Sequence, residues 1–400
     1  MINFDFEENC CGCGSCYNAC PVNAISMKPN AEGFLMPIID NDKCINCSKC
    51  DKVCPYLNTK VDYSKFSLDD FKGLNTYLYY SQKKERIDSA SGGFVFDLSL
   101  LVSQKGGLVC GCVWNEKLEA THIISNELKD LKRMQSSKYV QSNLKNCFIE
   151  IKKQLKNGNT VLFCGTPCQT ASLKQFLGNN PTNENLISVS IMCHGVPSPL
   201  IWEKYKYCLE KKLQGKLINV NMRDKKEKGY AQSHVCYQYI KEGAIKTLTW
   251  PTYLQDPYIY LFTDDLFLRN SCSHCPYKST NSGADIIAGD FHSSTEGANN
   301  MGCSSLIVLT QKGDSIIKQL IGTLKKSTIE EIGSVNPMVF RSTSLNRKRK
   351  EIFFKKMANY KEGDIRFLTN FLPTKFYIKM YLNKMGVFNF IRKILKSLKS

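Results

Sequence analysis

Two cysteine runs with the same spacing constrain this chain more than any other feature. The first run is Cys10, Cys13, Cys16 and Cys20 followed by Pro21, and the second is Cys44, Cys47, Cys50 and Cys54 followed by Pro55. Both have the spacing C-x2-C-x2-C-x3-C-P, in which three thiolates hold one iron–sulfur cube and the fourth reaches the other. A segment this short has little room for a hydrophobic core, so we expect the two cubes to organise its fold.

The spacing is that of bacterial ferredoxins, so the two runs exchange their last cysteines. The predicted 4Fe–4S ligand sets are Cys10, Cys13, Cys16 and Cys54 for one cluster, and Cys44, Cys47, Cys50 and Cys20 for the second. A zinc site is the alternative, because C-x2-C pairs also bind zinc, but it leaves the third and fourth cysteines of each run unexplained. Cys11 lies outside the pattern, and we interpret it as a bystander.

Length and composition predict a multidomain redox protein. The 400 residues suggest two or three domains, and they include 20 cysteines. The first eight residues lack a basic and an apolar stretch, and no apolar run approaches a membrane span. We therefore expect a cytoplasmic protein in a reducing compartment, where many cysteines indicate metal or redox chemistry.

The net charge of +18 is unevenly distributed. Residues 1–57 hold four lysines against seven acids, whereas the chain after Phe371 has seven basic residues and no acid. Such a surface favours anionic partners, such as an acidic electron carrier, a phosphorylated substrate or an anionic membrane surface. No nucleic-acid-binding motif is recognisable, so no nucleic acid is expected. Residues 373–400 predict a basic amphipathic helix that docks on its own domain, with peripheral membrane contact as the alternative.

Beyond a polar linker, strands and helices alternate, which favours an α+β fold with a mixed α/β body. We predict strands at 75–81, 107–114, 160–164, 186–192 and 286–288, and helices at 91–103, 144–155 and 168–177. Asp285 and Asp290 flank the last strand; they could close a site at the sheet edge, and solvation at the surface is the default expectation for each.

A second group of cysteines stands at the ends of these elements. Cys164 and Cys168 lie in FCGTPCQ, Cys193 in MCHGVPSP, and Cys272 and Cys275 in LRNSCSHCPY. The best set of four for a third cluster is Cys168, Cys193, Cys272 and Cys275; the alternative is that Cys164 and Cys193 are ordinary buried thiols. The turns Ser91-Gly92-Gly93 and Gly165-Thr166-Pro167 are candidate anion sites at helix starts.

Six segments, taken in order, resemble the coenzyme F420 hydrogenase/dehydrogenase beta-subunit family. They are SASGG, SSKYVQS, FCGTPCQTASLKQFL, CHGVPSP, MRDKKEKGY and LFLRNSCSHCPYKSTNSGADIIAGDF. The resemblance implies a bound FAD and an adjacent 4Fe–4S cluster, whose ligands fall on the third set chosen above. For the flavin neighbourhood we assign Ser91, Gly92, Gly93, Lys138, Gly165 and Thr166. Two positions depart from the family pattern: Tyr230 and His292 stand where relatives often have tryptophan.

The predicted organisation is a two-cluster ferredoxin-type domain at 1–57, a linker at 58–73, family domains at 74–158 and 159–340, and a basic helical tail at 341–400. The predicted function is that of an iron–sulfur flavoprotein oxidoreductase. It would pass electrons from ferredoxin or a similar carrier through 4Fe–4S clusters to FAD and on to an organic substrate. Relatives of this layout suggest surface-polysaccharide biosynthesis and a nucleotide sugar. His194 is the candidate proton donor, or else a structural hydrogen-bond donor.

Two other classes of function remain open. One is an electron-relay subunit without a substrate of its own, which couples a partner enzyme to ferredoxin. The other is an iron–sulfur regulator that binds nucleic acid, which predicts salt-sensitive binding and no flavin.

Overall fold

The amino-terminal part of the protein is a small module built around its cysteines. The computed structural model describes residues 6–59, 67–293 and 298–385. The module contains α1 (Phe6–Asn9), α2 (Ser15–Ala19), β1 (Ile25–Pro29), β2 (Leu35–Ile39) and α3 (Lys49–Val53). β1 and β2 form an antiparallel hairpin, and Ile25 and Cys16 are the buried centre of its core. Cysteine side chains thus take up much of the interior, as expected for so short a segment.

The body is built on one mixed sheet of eight strands. Its strands in chain order are β3 (Asn75–Ser81), β4 (Leu108–Trp114), β5 (Ala120–Ser125), β6 (Val161–Gly165), β7 (Leu186–Ile191), β11 (Ile286–Asp290), β12 (Ser304–Val308) and β13 (Gly322–Lys326). The spatial order is β13-β3-β12-β11-β7-β6-β4-β5. The central strands β4, β6, β7 and β11 are parallel, so their carboxyl ends meet at one edge, and the outer strands pair antiparallel.

Helices cover both faces of this sheet. They are α4 (Phe94–Gln104), α5 (Leu128–Met134), α6 (Cys147–Lys156), α7 (Pro167–Leu177), α10 (Gln311–Ile317) and α11 (Ile329–Val335). α7 illustrates how the sequence sets a boundary. It has proline at its first position, Thr166 and Gln169 form a capping box, and Gly178 ends it with a φ of 64°. Three apolar clusters result, one on the face that carries Tyr77 and Tyr79 and two on the opposite face.

A second, antiparallel sheet and the remaining helices enclose an aromatic core. This part comprises α8 (Pro199–Leu213), β8 (Lys216–Asp224), β9 (His234–Lys241), β10 (Ala244–Thr249), α9 (Pro257–Thr263), α12 (Arg347–Met357), α13 (Arg366–Thr369) and α14 (Thr374–Lys384). Trp202, Tyr205, Tyr258, Phe267 and Phe353 are fully buried here. Because Phe353 comes from α12, the tail helices belong to the body's core.

The predicted fold class is confirmed: a small ferredoxin-like module precedes a mixed α/β body. The strand at Asn75–Ser81 has the predicted bounds, and the other predicted strands and helices differ by a few residues at their ends. The predicted domains at 74–158 and 159–340 contribute strands to one sheet, since β3 lies between β12 and β13. The division of the body between residues 158 and 159 stays a prediction. The same holds for the linker at 58–73 and for the tail at 341–400.

The tail packs differently from the sequence expectation. The apolar face expected for the helix at 373–400 includes Ile378, Tyr381 and Met385. These three residues are exposed, whereas Phe376 of α14 is buried in the aromatic core. The rest of the predicted helix, residues 386–400, lies outside the described residues. Among the helices that the structure describes, none has both the length and the apolar character needed to span a membrane.

Candidate functional site

The first predicted cysteine set gathers at the inner side of the module. Cys13, Cys16 and Cys54 are buried, and the N–H of Gly12 donates a hydrogen bond of 3.3 Å to Cys10 Sγ. Burial raises the pKa of the Cys16 thiol, and the neighbouring Cys13, Cys10 and Cys54 raise it further. These four side chains, which we call the first quartet, are therefore neighbours.

The second predicted set lines one cavity near the surface. The cavity has a volume of about 390 Å³, and Cys20, Cys44, Cys47 and Cys50 all contribute to its wall. The N–H of Ala24 donates a 3.2 Å hydrogen bond to Cys20 Sγ, and Cys47 is exposed. We call this set the second quartet; it lies at the outer side of the module.

The third predicted set also lines one cavity, of about 580 Å³, between the module and the body. Cys168 lies in the first turn of α7 and Cys193 follows β7, so two parallel strands deliver them to the same sheet edge. Cys272 and Cys275 come from a 3-10 turn at Asn270–His274 and the residue after it. Burial raises the pKa of Cys193 to about 12, and the nearby Cys272 and Cys168 contribute to the rise. This set is the third quartet.

The three quartets have the donor chemistry of iron–sulfur clusters. Each predicted set supplies four thiols, the ligands that such clusters use. Among the described residues, no three histidine, cysteine, aspartate or glutamate side chains converge on a point suited to a single ion. Four thiols in each set match the number and kind of ligands that a 4Fe–4S cluster takes, so the residues present fit clusters.

Cys11, interpreted from sequence as a bystander, lies in the wall of the third quartet's cavity. Its side chain is within hydrogen-bonding reach of the thiols of both Cys13 and Cys168. It thus stands between the first and third quartets. The only local signal was its position beside Cys10, which gave no indication of the third quartet.

A buried arginine joins the module to the body beside these quartets. Arg269 is 1 % exposed, and its guanidinium donates hydrogen bonds to the carbonyl of Cys10 (2.5 Å), Gln141 Oε1 (2.8 Å) and the carbonyl of Leu35 (3.0 Å). It also lies over the ring of Phe34, at 5.3 Å from the centroid. The sequence gave no local sign of this role, because its partners are more than 100 residues away.

His194 lines the third quartet's cavity and is held by a carboxylate. Its Nε2 lies 2.6 Å from Asp265 Oδ1, and its ring packs edge-on against Phe262. This contact fits the structural alternative stated above, since the carboxylate fixes the ring's orientation. Proton donation by His194 stays a prediction.

The residues predicted around the flavin are largely engaged by the chain itself. Ser91 Oγ donates to the carbonyl of Cys303 (2.6 Å), and the N–H of Gly92 donates to Ser304 Oγ (3.1 Å). A side chain at Gly92 would meet the carbonyl of Tyr79 at 2.2 Å, so glycine is required there for packing. Gly93 follows with a φ of 87° at the start of α4.

The second part of the predicted flavin set is similarly occupied. The N–H of Thr166 donates to Gln169 Oε1 (2.9 Å), and the Thr166 hydroxyl lies 3.2 Å from Cys168 Sγ. At Gly165, an added side chain would meet the ring of Phe163 at 2.8 Å. Lys138 Nζ donates to backbone carbonyls, including that of Gln135 at 2.7 Å, and burial lowers its pKa to about 8. Ser91, Gly92, Lys138 and Thr166 therefore already donate hydrogen bonds within the chain, and FAD stays a prediction.

A polar cluster near the Ser91 turn was not recognised as a unit in the sequence. Arg223 forms a 3.1 Å ion pair with Asp290, at the carboxyl end of β11. Tyr230 Oη lies 3.1 Å from His292 Nδ1, and the two rings are nearly parallel. The two departures from the family pattern thus contact each other. Lys225 Nζ donates to the carbonyl of Ser91 (2.7 Å), and burial lowers the pKa of Lys225 to about 7.

The expectation of surface solvation is wrong for Asp285. Its side chain is 2 % exposed and accepts hydrogen bonds from the N–H and the hydroxyl of Ser188 and from the hydroxyl of Thr310. Asp285 therefore ties β7 to the β12–α10 turn. Asp290, at the other end of β11, belongs to the polar cluster through its ion pair with Arg223.

Comparisons with known proteins agree with this arrangement of domains. Residues 158–332 match the family described as the C terminus of the coenzyme F420 hydrogenase/dehydrogenase beta subunit. Residues 9–58 and 36–92 match two families described as 4Fe-4S dicluster domains.

Individual relatives come from methanogens. The F subunit of the F(420)H(2) dehydrogenase from Methanosarcina mazei is 21% identical over 279 residues, which cover 67% of this chain and 72% of that protein. A polyferredoxin-like protein of Methanocaldococcus jannaschii is 39% identical over 57 residues, 12% of this chain and 34% of that protein. A solved chain of the F420-reducing NiFe hydrogenase complex from Methanosarcina barkeri covers 73% of this chain and 94% of its own length, with 15% identity and a TM-score of 0.42.

The family matches and the Methanosarcina mazei relative confirm the resemblance inferred from the motifs. They make the chain an iron–sulfur protein related to hydrogenase and dehydrogenase subunits. The protein joins an amino-terminal 4Fe–4S dicluster domain to a domain of the family formed by the carboxyl-terminal part of coenzyme F420 hydrogenase/dehydrogenase beta subunits.

Proposed function

We propose that this protein is an electron-relay subunit, which accepts electrons from ferredoxin or a similar carrier and delivers them to a partner oxidoreductase. Clusters held by the three quartets would exchange electrons singly. One observation carries the proposal: the first and third quartets adjoin. Ser271, the residue before Cys272, donates a 3.1 Å hydrogen bond from its hydroxyl to the carbonyl of Cys10. A route from the module into the body is therefore short.

The positions of the quartets support a route for electrons through the molecule. Cys47 of the second quartet is exposed, so a soluble carrier can approach that side of the module. Cys13, Cys16 and Cys54 of the first quartet are buried, and they lie between the outer side and the body. The third quartet lines the cavity beneath the module, next to the edge of the large sheet. The chemistry allows the reverse direction equally.

A flavin-dependent oxidoreductase that acts on an organic substrate is the second candidate. It is favoured by the polar cluster around Arg223, Tyr230, Asp290 and His292, which lies near the Ser91 turn and contributes buried charge and hydrogen-bonding groups. Four of the residues assigned to FAD, Ser91, Gly92, Lys138 and Thr166, donate hydrogen bonds within the chain, so no step is assigned through a flavin. A phosphorylated or nucleotide-sugar substrate and a role in polysaccharide biosynthesis stay hypotheses.

Anaerobic preparation of the full chain, with iron, sulfide and flavin counts, tests the relay. We expect about twelve irons per chain, the content of three cubes. Reduced ferredoxin should then bleach the iron–sulfur absorption, and a one-electron acceptor dye should restore it. Cys272→Ser should lower the iron count by about four and slow dye reduction. Cys208→Ser, which alters a buried thiol of α8 far from the quartets, is the matched control and should change neither.

Two results would contradict the relay. Unchanged iron in Cys272→Ser would remove the third quartet as a cluster site. Stoichiometric flavin, together with steady turnover of an organic substrate by the isolated chain, would favour the second candidate.

A further inference from the structure

Two buried polar groups between the first and third quartets have no place in either ligand set. They are the thiol of Cys11 and the hydroxyl of Tyr277, and both line the cavity of about 580 Å³ that the third quartet encloses. Each is fixed by its surroundings.

The position of Cys11 is built from both parts of the protein. Gln141 Nε2 donates a 3.0 Å hydrogen bond to the Cys11 carbonyl. At the next residue, Gly12, an added Cβ would lie 2.6 Å from Gln141 Nε2 and 2.7 Å from Arg269 Nη1, so a side chain there would displace both groups and would be strained at a φ of 67°. The Cys11 thiol is thereby held against Cys13 on one side and Cys168 on the other. Because it touches these ligands directly, it belongs to the layer outside them and is not a further ligand, since ligands of one cube are kept apart.

Tyr277 supplies an independent observation. It is 4 % exposed, and among the described residues its hydroxyl has no hydrogen-bond partner. Leaving a buried hydroxyl unpaired costs about 1–3 kcal/mol, so such groups nearly always have a partner. The ring belongs to the same wall as Cys168 and Cys275. The missing acceptor is therefore expected inside the cavity, where the sulfur atoms of a cluster would lie.

We propose that Cys11 and Tyr277 are positioning residues that donate hydrogen bonds to sulfur atoms of the third cluster and its ligands, Tyr277 through its hydroxyl and Cys11 through its single S–H to Cys168 Sγ. This inference rests on the proposed function, because it requires that the third quartet holds a cluster. Hydrogen bonds to sulfur favour the more negative, reduced form and so raise the reduction potential. Both residues keep their protons, and no bond forms or breaks. Their effect is to make the third cluster the better electron acceptor of the two.

The test is an EPR-monitored redox titration of the loaded full chain and of the variants Tyr277→Phe and Cys11→Ala. The signal that disappears in Cys272→Ser identifies the third cluster. Losing one hydrogen bond to a charged acceptor should shift the equilibrium between the first and third clusters by about tenfold, which is 59 mV for one electron. We expect the third potential to become more negative in each variant, with the iron content unchanged. Tyr79→Phe and Cys208→Ala are the controls, because each removes a buried polar atom distant from the quartets, and neither should move this potential.

The outcomes separate this inference from the function on which it rests. A wild-type chain with only about eight irons would refute the third cluster and with it the relay. Full iron with unchanged potentials in both variants would overturn the inference alone. Loss of about four irons in Cys11→Ala would identify Cys11 as a ligand and would also overturn it. If Cys11→Ala does not fold, the potential of the third cluster in Tyr277→Phe tests the inference by itself, because that variant loses only one hydroxyl.

Discussion

Replacing Arg269 by glutamine should loosen the attachment of the cysteine-rich module to the body. The guanidinium is buried, and it bonds to two backbone carbonyls of the module and to Gln141 of the body. The glutamine side chain is shorter, and its amide has two N–H donors where guanidinium has five. We expect it to keep one of the three bonds.

The magnitude follows from the lost bonds. Each hydrogen bond from a charged donor contributes about 1.5–3 kcal/mol, so losing two costs about 3–6 kcal/mol. Removing a buried cation also removes part of its desolvation penalty, which offsets some of this loss. A net cost of about 3 kcal/mol corresponds to a change of roughly 100-fold in the equilibrium for local opening.

Hydrogen exchange with mass spectrometry measures this opening on the full chain. Peptides from residues 10–54 should exchange roughly 100-fold faster in Arg269→Gln, whereas peptides from the sheet should not change. Arg347→Gln is the matched control, because it breaks an exposed ion pair to Glu8 at the same interface and should cost less than about 1 kcal/mol. Module peptides that exchange at the wild-type rate in Arg269→Gln would refute the role of Arg269 as the joint.

Three further variants test other parts of the structure. Gly12→Ala should lower the iron count, because it adds a Cβ 2.6 Å from Gln141 at a φ of 67°. The control Gly158→Ala, at a φ of 82° with open space around it, should keep full iron. Equal iron counts in the two variants would contradict the steric argument. Burial lowers the pKa of His122 to about 4, so the folded state stays neutral where the unfolded chain binds a proton. The free energy of unfolding should therefore fall by about 3 kcal/mol as the pH drops from about 6.5 to 4, and denaturation curves of His122→Gln should lack that component. Asp285→Asn should cost about 2 kcal/mol in a urea titration, because an amide nitrogen cannot accept the bonds from Ser188; an unchanged midpoint would argue against that account.

Local patterns in the sequence were sufficient for the elements. The strand at Asn75–Ser81 has the predicted bounds, and α7 begins at Pro167, one residue before the predicted start. The cluster ligand sets stay predictions. The exchanged cysteines of the module follow from spacing alone, and the three predicted quartets are each brought together.

The parts that escaped prediction depend on contacts between distant residues. Arg269 meets Cys10 across 259 positions, and Tyr230 meets His292 across 62. No periodicity or turn signal encodes such a pair, because each partner's local sequence is compatible with many surroundings. Cys11 and Tyr277 became informative only when the module and the body were seen to share one cavity.

The placement of β3 has a consequence for how this protein can be divided. Strand β3 comes from before the family match at 158–332, yet it pairs with β12 and β13, while β4 pairs with β6. A fragment cut at the start of that match would leave strand edges with unpaired backbone groups in the interior of what had been one sheet, a state prone to aggregation. The segment that matches the family, residues 158–332, is thus shorter than the segment that can fold. Fusions and exchanges with relatives should keep residues 74–385 together, because α12, α13 and α14 supply side chains of the aromatic core.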